Sequence, residues 1–419
     1  MIVEPAIGEN DSAGTQLLTQ IVMGGVQDPF PLYDELRELD EGVHWCRELN
    51  AWFATRAADV RMMGSRPEAY SNDMAATSGA NVHNVDDPIE RRYGEIADKF
   101  LFFLDPPEHT TVRSVFRHAF TPKAIKAWRP TVERIADDLI ADYESGDEVD
   151  FMGDLAAKIP IEVIATILGV PRSDFPLFAK WTDALSLSTD PAVQGEARST
   201  AIRTAVELID YLDAIAIDRR RNPRDDLISL IVNTEIEGGQ PLDPTVALSQ
   251  AVILLAAGND TTTNLLGNGI SILIDHPEVK EMLGSDFSLI PRTVEEMLRF
   301  DPPFHLDFRR ATADHTLGGR DIAAETTIFH LLAAANRDPR EFPDPQLFDI
   351  DRQNKRHLAF SHGIHFCVGA PLARMEAAVG FSRILSKFPG ISAGSAEPRR
   401  KVTNIVARGW ESRPVMLRR

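Results

Sequence analysis

Between Phe360 and Arg374 the chain runs Phe360-Ser361-His362-Gly363-Ile364-His365-Phe366-Cys367-Val368-Gly369-Ala370-Pro371-Leu372-Ala373-Arg374. Two glycines, Gly363 and Gly369, bracket a cysteine, and an apolar segment with helical periodicity follows. A thiolate just ahead of a helix start feels the helix dipole and the first backbone N–H groups, and both stabilise negative charge on sulfur. Gly369 would let the backbone approach something flat and large, and Phe360 could pack against the same object. Two other readings suit these residues. A single cysteine serves well as a small buried hydrophobe. His362, His365 and Cys367 also spell His-x-x-His-x-Cys, a donor set for zinc or non-haem iron. Against that set, no further His or Cys cluster offers a fourth ligand at a usual spacing, since His276, His305, His315, His330 and His357 are scattered.

Working outward, the next unusual segment lies upstream. Asp243 is suited to cap a helix and Pro244 to begin it, and the next proline is Pro277. The intervening helix would be about 45 to 50 Å long at 1.5 Å per residue. Val252 to Ala257 is apolar on every face and must be buried. Gly258-Asn259-Asp260-Thr261-Thr262-Thr263 then breaks the pattern with weak helix formers and one acid. Threonines that bond back to carbonyls can bend a helix. The run is either a surface turn or kink, or a polar notch facing a buried reaction site. Ile253 and Ala257 would line the same face.

The rest of the chain reads as mostly helical. Val132 to Tyr143 and Ala201 to Ile217 carry helical periodicity. Val43 to Trp45 and Ala51 to Thr55 suggest a hairpin, and Thr326 to Phe329 and Val402 to Val406 suggest further strands. The expected fold is mainly α with minor β, a single domain over residues 1–419. Of the 419 residues, 43% are hydrophobic and 26% charged, which excludes wholesale disorder. The formal charge of −19 argues against a nucleic-acid or anionic-membrane surface. Two distant cysteines, Cys46 and Cys367, exclude a disulfide framework. Met1 to Asn10 shows no secretory pattern and no window reaches about 18 apolar residues, so a cytoplasmic protein is expected.

Phe360 to Gly369 resembles the haem-binding loop of the cytochrome P450 superfamily, Phe-Gly-x-Gly-x-His-x-Cys-x-Gly, with Ser361 in place of the usual glycine. Four more segments resemble the family in its order. They are Ala257 to Thr262 (the oxygen-activation segment), Glu296-Met297-Leu298-Arg299 (the Glu-x-x-Arg motif), Asn336 to Arg352 (the meander) and Leu104 to Arg113 (the helix over one haem edge). The resemblance covers about residues 100 to 375 and is closest to soluble bacterial members fed by ferredoxin. It implies a triangular helical body with small β-sheets and haem b (heme b, iron protoporphyrin IX).

The resemblance also assigns roles. Cys367 is the axial iron ligand. His109, Arg113, Arg309 and His365 hold the propionates, with Arg310 a competing register for Arg309. Asp260 and Thr261 deliver protons, and Glu296 with Arg299 fixes the meander. Phe304, His305 and Asp307 lie in a segment of unusual polarity expected to line the substrate pocket; His305 or Asp307 would face either the substrate or a haem propionate edge, although His305 could equally be a core histidine. The segment from Ser71 to Phe103 is expected to form a mobile lid over the substrate. No Gly-x-Gly-x-x-Gly fingerprint for flavin or dinucleotide occurs, so electrons must come from outside. Arg117, Lys123, Lys126 and Arg129, with Lys355, Arg356 and Arg374, suggest a docking face for an acidic ferredoxin, itself reduced from NAD(P)H by a ferredoxin reductase. The implied activity is insertion of one oxygen atom from O2 into an apolar small molecule such as a polyketide, terpenoid, steroid or fatty acid. A haem sensor without turnover is the second reading, and Asp260, Thr261 and the basic cluster speak against it.

Overall fold

The computed structural model describes residues 11–73, 86–190, 193–402 and 405–419. The chain forms two compact units, each assembled from separate stretches. The first comprises Met1–Asp73, Gly267–Cys367 and Pro398–Ser412, and the second Met74–Leu266, Val368–Glu397 and Arg413–Arg419.

The first unit is built on a five-stranded sheet in the order Val43–Cys46, Ala51–Ala54, Thr327–Leu331, Leu306–Ala311, Tyr70–Ser71. Only the pairing of Ala51–Ala54 with Thr327–Leu331 is parallel. Alternation along the first hairpin sends side chains to opposite faces. Cys46, Ala51 and Phe53 join Leu18, Phe30, Tyr33 and Leu36 in one apolar cluster, whereas Val43, Trp45, Trp52 and Ala54 join Tyr70, Leu317 and Ile328 in another. With both faces covered, the hairpin strands are buried throughout. Cys46 is buried and burial pushes its thiol up to about 12, which fits a packing role.

The second unit is helical. Phe175–Thr189 packs on Gly195–Arg221, and Pro122–Ile140 packs on Ala370–Lys387. A small sheet places Pro414–Met416 between Glu148–Asp150 and Ser392–Ala393. The long helix runs Pro244–Asp275, 32 residues, and continues from this unit into Gly267–Asp275 of the first. Asp243 caps it as expected, accepting from Thr245 N–H at 2.8 Å. The helix continues through residues 258–263, which removes the reading of this run as a surface turn. Two side-chain bonds lie along it. Thr261 Oγ1 donates to the Ala257 carbonyl at 2.7 Å, and Asn259 Nδ2 donates to Thr182 Oγ1 at 3.0 Å.

Two further expectations change. The segment from Ser71 to Phe103 holds the helix Pro88–Ala97, capped by Asp87, and a short turn Leu101–Phe103. The lid expected there rests on residues 74–85, including Gly79, Asn81 and Asn84, which lie outside the described residues. The last strands are Trp410–Ser412 and Pro414–Met416, not Val402 to Val406, of which 403–404 also lie outside the described residues. Among the described residues no helix is long and apolar enough to cross a membrane.

Candidate functional site: the cysteine loop and its cationic neighbours

In the first unit, the loop enters Cys367 through a short turn, Gly363–His365. Gly363 adopts φ +75°, and a Cβ there would collide with the Gly64 carbonyl oxygen, so only glycine fits. Ser361 also sits at positive φ, +60°, where a residue with a Cβ costs about 1–2 kcal/mol relative to glycine. The Cys367 N–H donates to the Phe360 carbonyl at 2.9 Å, which closes the loop and leaves the side chain exposed. Phe360 packs against Phe366, with ring centroids 6.1 Å apart. Among the described residues no group of three or more His, Cys, Asp or Glu comes together as a metal cage. His362, His365 and Cys367 therefore do not form the zinc-type site their spacing allows.

Arg309 lies on the strand Leu306–Ala311 and is 1% exposed. Its Nη1 donates to Asp307 Oδ2 at 3.2 Å and to the Phe308 carbonyl at 2.6 Å. Its Nη2 is buried with no hydrogen-bond partner among the described residues, a guanidinium with one donor edge held ready for an anion. Arg310 is instead consumed locally, by Ser71 Oγ, Glu325 and the Asp73 carbonyl. That contrast favours Arg309 as the arginine that meets a carboxylate. The donor set thus suits haem: an accessible cysteine sulfur for iron and one open guanidinium edge, Arg309 Nη2, for a propionate.

Asp307 does not face open space. Besides Arg309 it accepts from Ser361 Oγ at 2.5 Å and from the Phe308 N–H at 2.8 Å. Burial raises its pKa, but Arg309, His330 and these hydrogen bonds outweigh burial and hold the carboxyl below its ordinary range. His305 is 2% exposed, hydrogen-bonded to Tyr33 Oη at 3.0 Å and packed against the Phe30 ring. It is a core histidine, and the substrate contact expected of it gives way to this packing. Phe304 joins the apolar cluster of Ala57, Val60 and Leu332.

Glu296 and Arg299 form a buried pair at the end of the helix Ile290–Phe300. Sequence reasoning missed the second cation on Glu296, Arg352, whose Nε lies 3.2 Å from Oε1. It named Asp307 and Ser361 separately but missed the bond that joins them. Their one visible signal was polarity at two positions where the family is commonly apolar or glycine.

In the second unit, His109 and Arg113 lie on the helix Glu108–Ala119. His109 is 2% exposed, and burial, helped by Arg113, pushes its pKa down to about 4. It is therefore a neutral imidazole near pH 7, able to donate an N–H to a carboxylate. On the long helix, Ala257 is exposed and Ile253, Asp260 and Thr261 are half-buried, whereas Val252, Leu254, Leu255 and Thr262 are buried. The spacing 253, 257, 260, 261 is one helical stripe. The acid and the alcohol thus share an accessible edge on an otherwise packed helix. Gly369 caps the helix Ala370–Lys387 with φ −80°, which any residue adopts, so its value would lie in its missing side chain.

A surface groove of about 390 Å³ lies on the second unit. Phe120, Pro122, Ile125, Pro371 and Met375 form its apolar floor, and Lys126 and Arg129 its rim.

The cytochrome P450 family model matches residues 61–407. The putative cytochrome P450 YjiB of Bacillus subtilis (strain 168) is 34% identical over 388 residues, 92% of each chain. The polyketide biosynthesis cytochrome P450 PksS of the same strain is 37% identical, covering 93% of this chain and 96% of the relative. Among solved structures, P450BioI, in complex with an acyl carrier protein ligated by hexadec-9Z-enoic acid, superposes with a TM-score of 0.85 at 27% identity, covering 93% of this chain and 99% of that one. The class these findings define is a haem-dependent monooxygenase that uses O2 and external redox partners. The chain belongs to the cytochrome P450 family, and members of that family bind haem.

Proposed function

We propose that this chain inserts one oxygen atom from O2 into a largely apolar small molecule, by C–H hydroxylation or by epoxidation. Polyketides, terpenoids, steroids and fatty acids are the candidate classes, and the polyketide role in the name of PksS favours the first. The observation that carries the reading is the accessible stripe Ile253, Ala257, Asp260 and Thr261 on a buried helix. In balance, O2, two electrons, two protons and substrate give oxygenated product and water.

When bound, haem b would supply the redox-active iron for O2 reduction, and the Cys367 thiolate would be the residue that holds it and pushes electron density toward it. Arg309 Nη2 and His365 would serve the propionates from the first unit, His109 and Arg113 would do so from the second, as the family resemblance implies, and Phe360 would pack on the ring. Thr261 Oγ1 spends its single proton on the Ala257 carbonyl, so its lone pairs are free to accept from water. Releasing that carbonyl turns the hydroxyl into a donor. The Asp260 carboxylate, one residue earlier on the same edge, passes protons inward from solvent. Ile253 and Ala257 offer an apolar wall to the substrate and limit the water beside it.

Electrons come from NAD(P)H through ferredoxin reductase and ferredoxin. The groove between Lys126 and Arg129 supports that partner, because a basic rim on a chain of charge −19 selects an acidic protein. The test is optical. Reduced holoprotein under CO should show the red-shifted Soret band of thiolate ligation, and Cys367→Ser should abolish it. A colourless protein, or a Cys367→Ser variant with unaltered spectrum and turnover, would end this reading.

A further inference from the structure

One carboxylate oxygen, Asp307 Oδ2, takes two hydrogen bonds from two different segments. Ser361 Oγ donates to it at 2.5 Å from the loop that ends in Cys367, and Arg309 Nη1 donates to it at 3.2 Å. The second oxygen is also committed, since Oδ1 accepts from the Phe308 N–H at 2.8 Å. Asp307 is therefore fixed at both oxygens, with no freedom to turn toward solvent. Across the sheet it pairs in register with His330, itself 1% exposed, so the neighbouring strand closes that side.

Ser361 is the other half of the observation. At φ +60° a glycine would be at ease and a serine is not. The hydroxyl is held there against local backbone preference, and its single proton goes to Asp307. A charged acceptor makes that bond stronger than a neutral one.

We infer that Asp307 is a positioning residue that joins the propionate-facing arginine to the cysteine-bearing loop, steadying both and placing one negative charge beside the haem edge. The inference rests on the reading that Cys367 and Arg309 hold haem. Two consequences separate it from a plain structural role. A fixed anion near the haem stabilises the ferric, more positive state, so removing the charge should raise the reduction potential. A loop clipped through Ser361 should release haem slowly, so cutting the clip should speed release even when the replacement suits the backbone better.

The experiment uses parent holoenzyme with Asp307→Asn and Ser361→Gly, two variants that keep the packing nearly intact. Potentials are read by mediated spectroelectrochemical titration, and haem loss by transfer to apomyoglobin. Asp307→Asn should shift the potential positive. Ser361→Gly should transfer haem several-fold faster than the parent, although glycine relieves the φ +60° backbone. An unchanged potential in Asp307→Asn, or transfer from Ser361→Gly as slow as the parent's, overturns the inference. A parent that lacks the thiolate CO band would instead remove the haem-thiolate reading and this inference together, so the two failures are told apart.

Discussion

Arg299 grips Glu296 with two parallel hydrogen bonds, Nε to Oε2 at 2.9 Å and Nη2 to Oε1 at 2.7 Å. The same guanidinium reaches the carbonyls of Asn336, Pro345 and Leu347 at 3.2, 2.9 and 3.0 Å. Glu296 Oε1 also accepts from the Asp349 N–H at 3.0 Å. A helix three-residue spacing is thereby converted into a clamp on the segment 336–352, which leads into the cysteine loop.

Removing the acid from that clamp should be costly. Glu296→Ala leaves Arg299 and Arg352 buried without their shared carboxylate, and breaking a buried ion pair costs about 3–5 kcal/mol. Urea unfolding followed by far-ultraviolet circular dichroism should show a loss of that size. A loss below about 1 kcal/mol would mean that the carbonyl contacts hold the segment unaided.

Thr261→Ala should leave haem content unchanged and alter the fate of electrons. Alanine keeps the helix and the apolar edge but has no oxygen to order water beside Asp260. NAD(P)H oxidation should continue while reduced oxygen leaves as hydrogen peroxide. Asp260→Asn should instead slow turnover, by about 10²-fold if the carboxylate acts in general acid–base catalysis. Product formed per NAD(P)H, measured beside peroxide, checks both. Unchanged coupling in Thr261→Ala would remove the hydroxyl from proton delivery.

What sequence made legible follows from what is local. The long helix was readable to its ends because a capping Asp243, an opening Pro244 and a closing Pro277 are all local signals. The hairpin Val43–Cys46 with Ala51–Ala54 was readable from alternation and a short connection. The partner of Asn259 within the long helix was not, because Thr182 lies 77 residues away. Nor was the core position of His305, whose partner Tyr33 lies 272 residues earlier. Asp307 looked like a pocket residue because polarity in a strand gives no hint of which face it takes or what it meets there. The clip to Ser361 spans 54 residues and joins two positions that look unrelated in the chain.

The basic groove should govern the first electron transfer. Lys126 and Arg129 are exposed, and Arg129 makes a helical-surface contact with Glu133 at 3.3 Å, worth about a few tenths of a kcal/mol. Lys126→Glu with Arg129→Glu should therefore leave stability nearly unchanged. Reduction by ferredoxin at low salt should slow by about tenfold or more, and its dependence on ionic strength should flatten. Stopped-flow reduction under CO measures this, and reduction by dithionite should be equal in both proteins. Equal ferredoxin rates would place the docking face elsewhere.

Acid should destabilise the protein through histidines that are buried neutral. His305 is held down to about 3, first by burial and then by Arg408, with Arg400 and Arg337 adding to it and Asp301 opposing. His330 is likewise held at about 3 by burial and Arg309. In the unfolded chain both return to about 6.5. Above that value neither state binds the proton and stability is full. As pH falls from about 6.5 toward 3, the unfolded chain takes up protons that the folded chain refuses, so each histidine removes up to about 1.4 kcal/mol per pH unit. In the fold the charged imidazolium would lose its water and meet cationic neighbours. His305→Gln keeps a polar side chain near Tyr33 but binds no proton. The variant should be no more stable than the parent at pH 7, and its stability should fall less steeply between pH 6 and 4, by up to about 1.4 kcal/mol per unit. Urea unfolding at pH 7, 6, 5 and 4 gives the two slopes. Parallel slopes would show that His305 takes up its proton in the folded state, and the buried Tyr33–His305 contact would then have to open as it does.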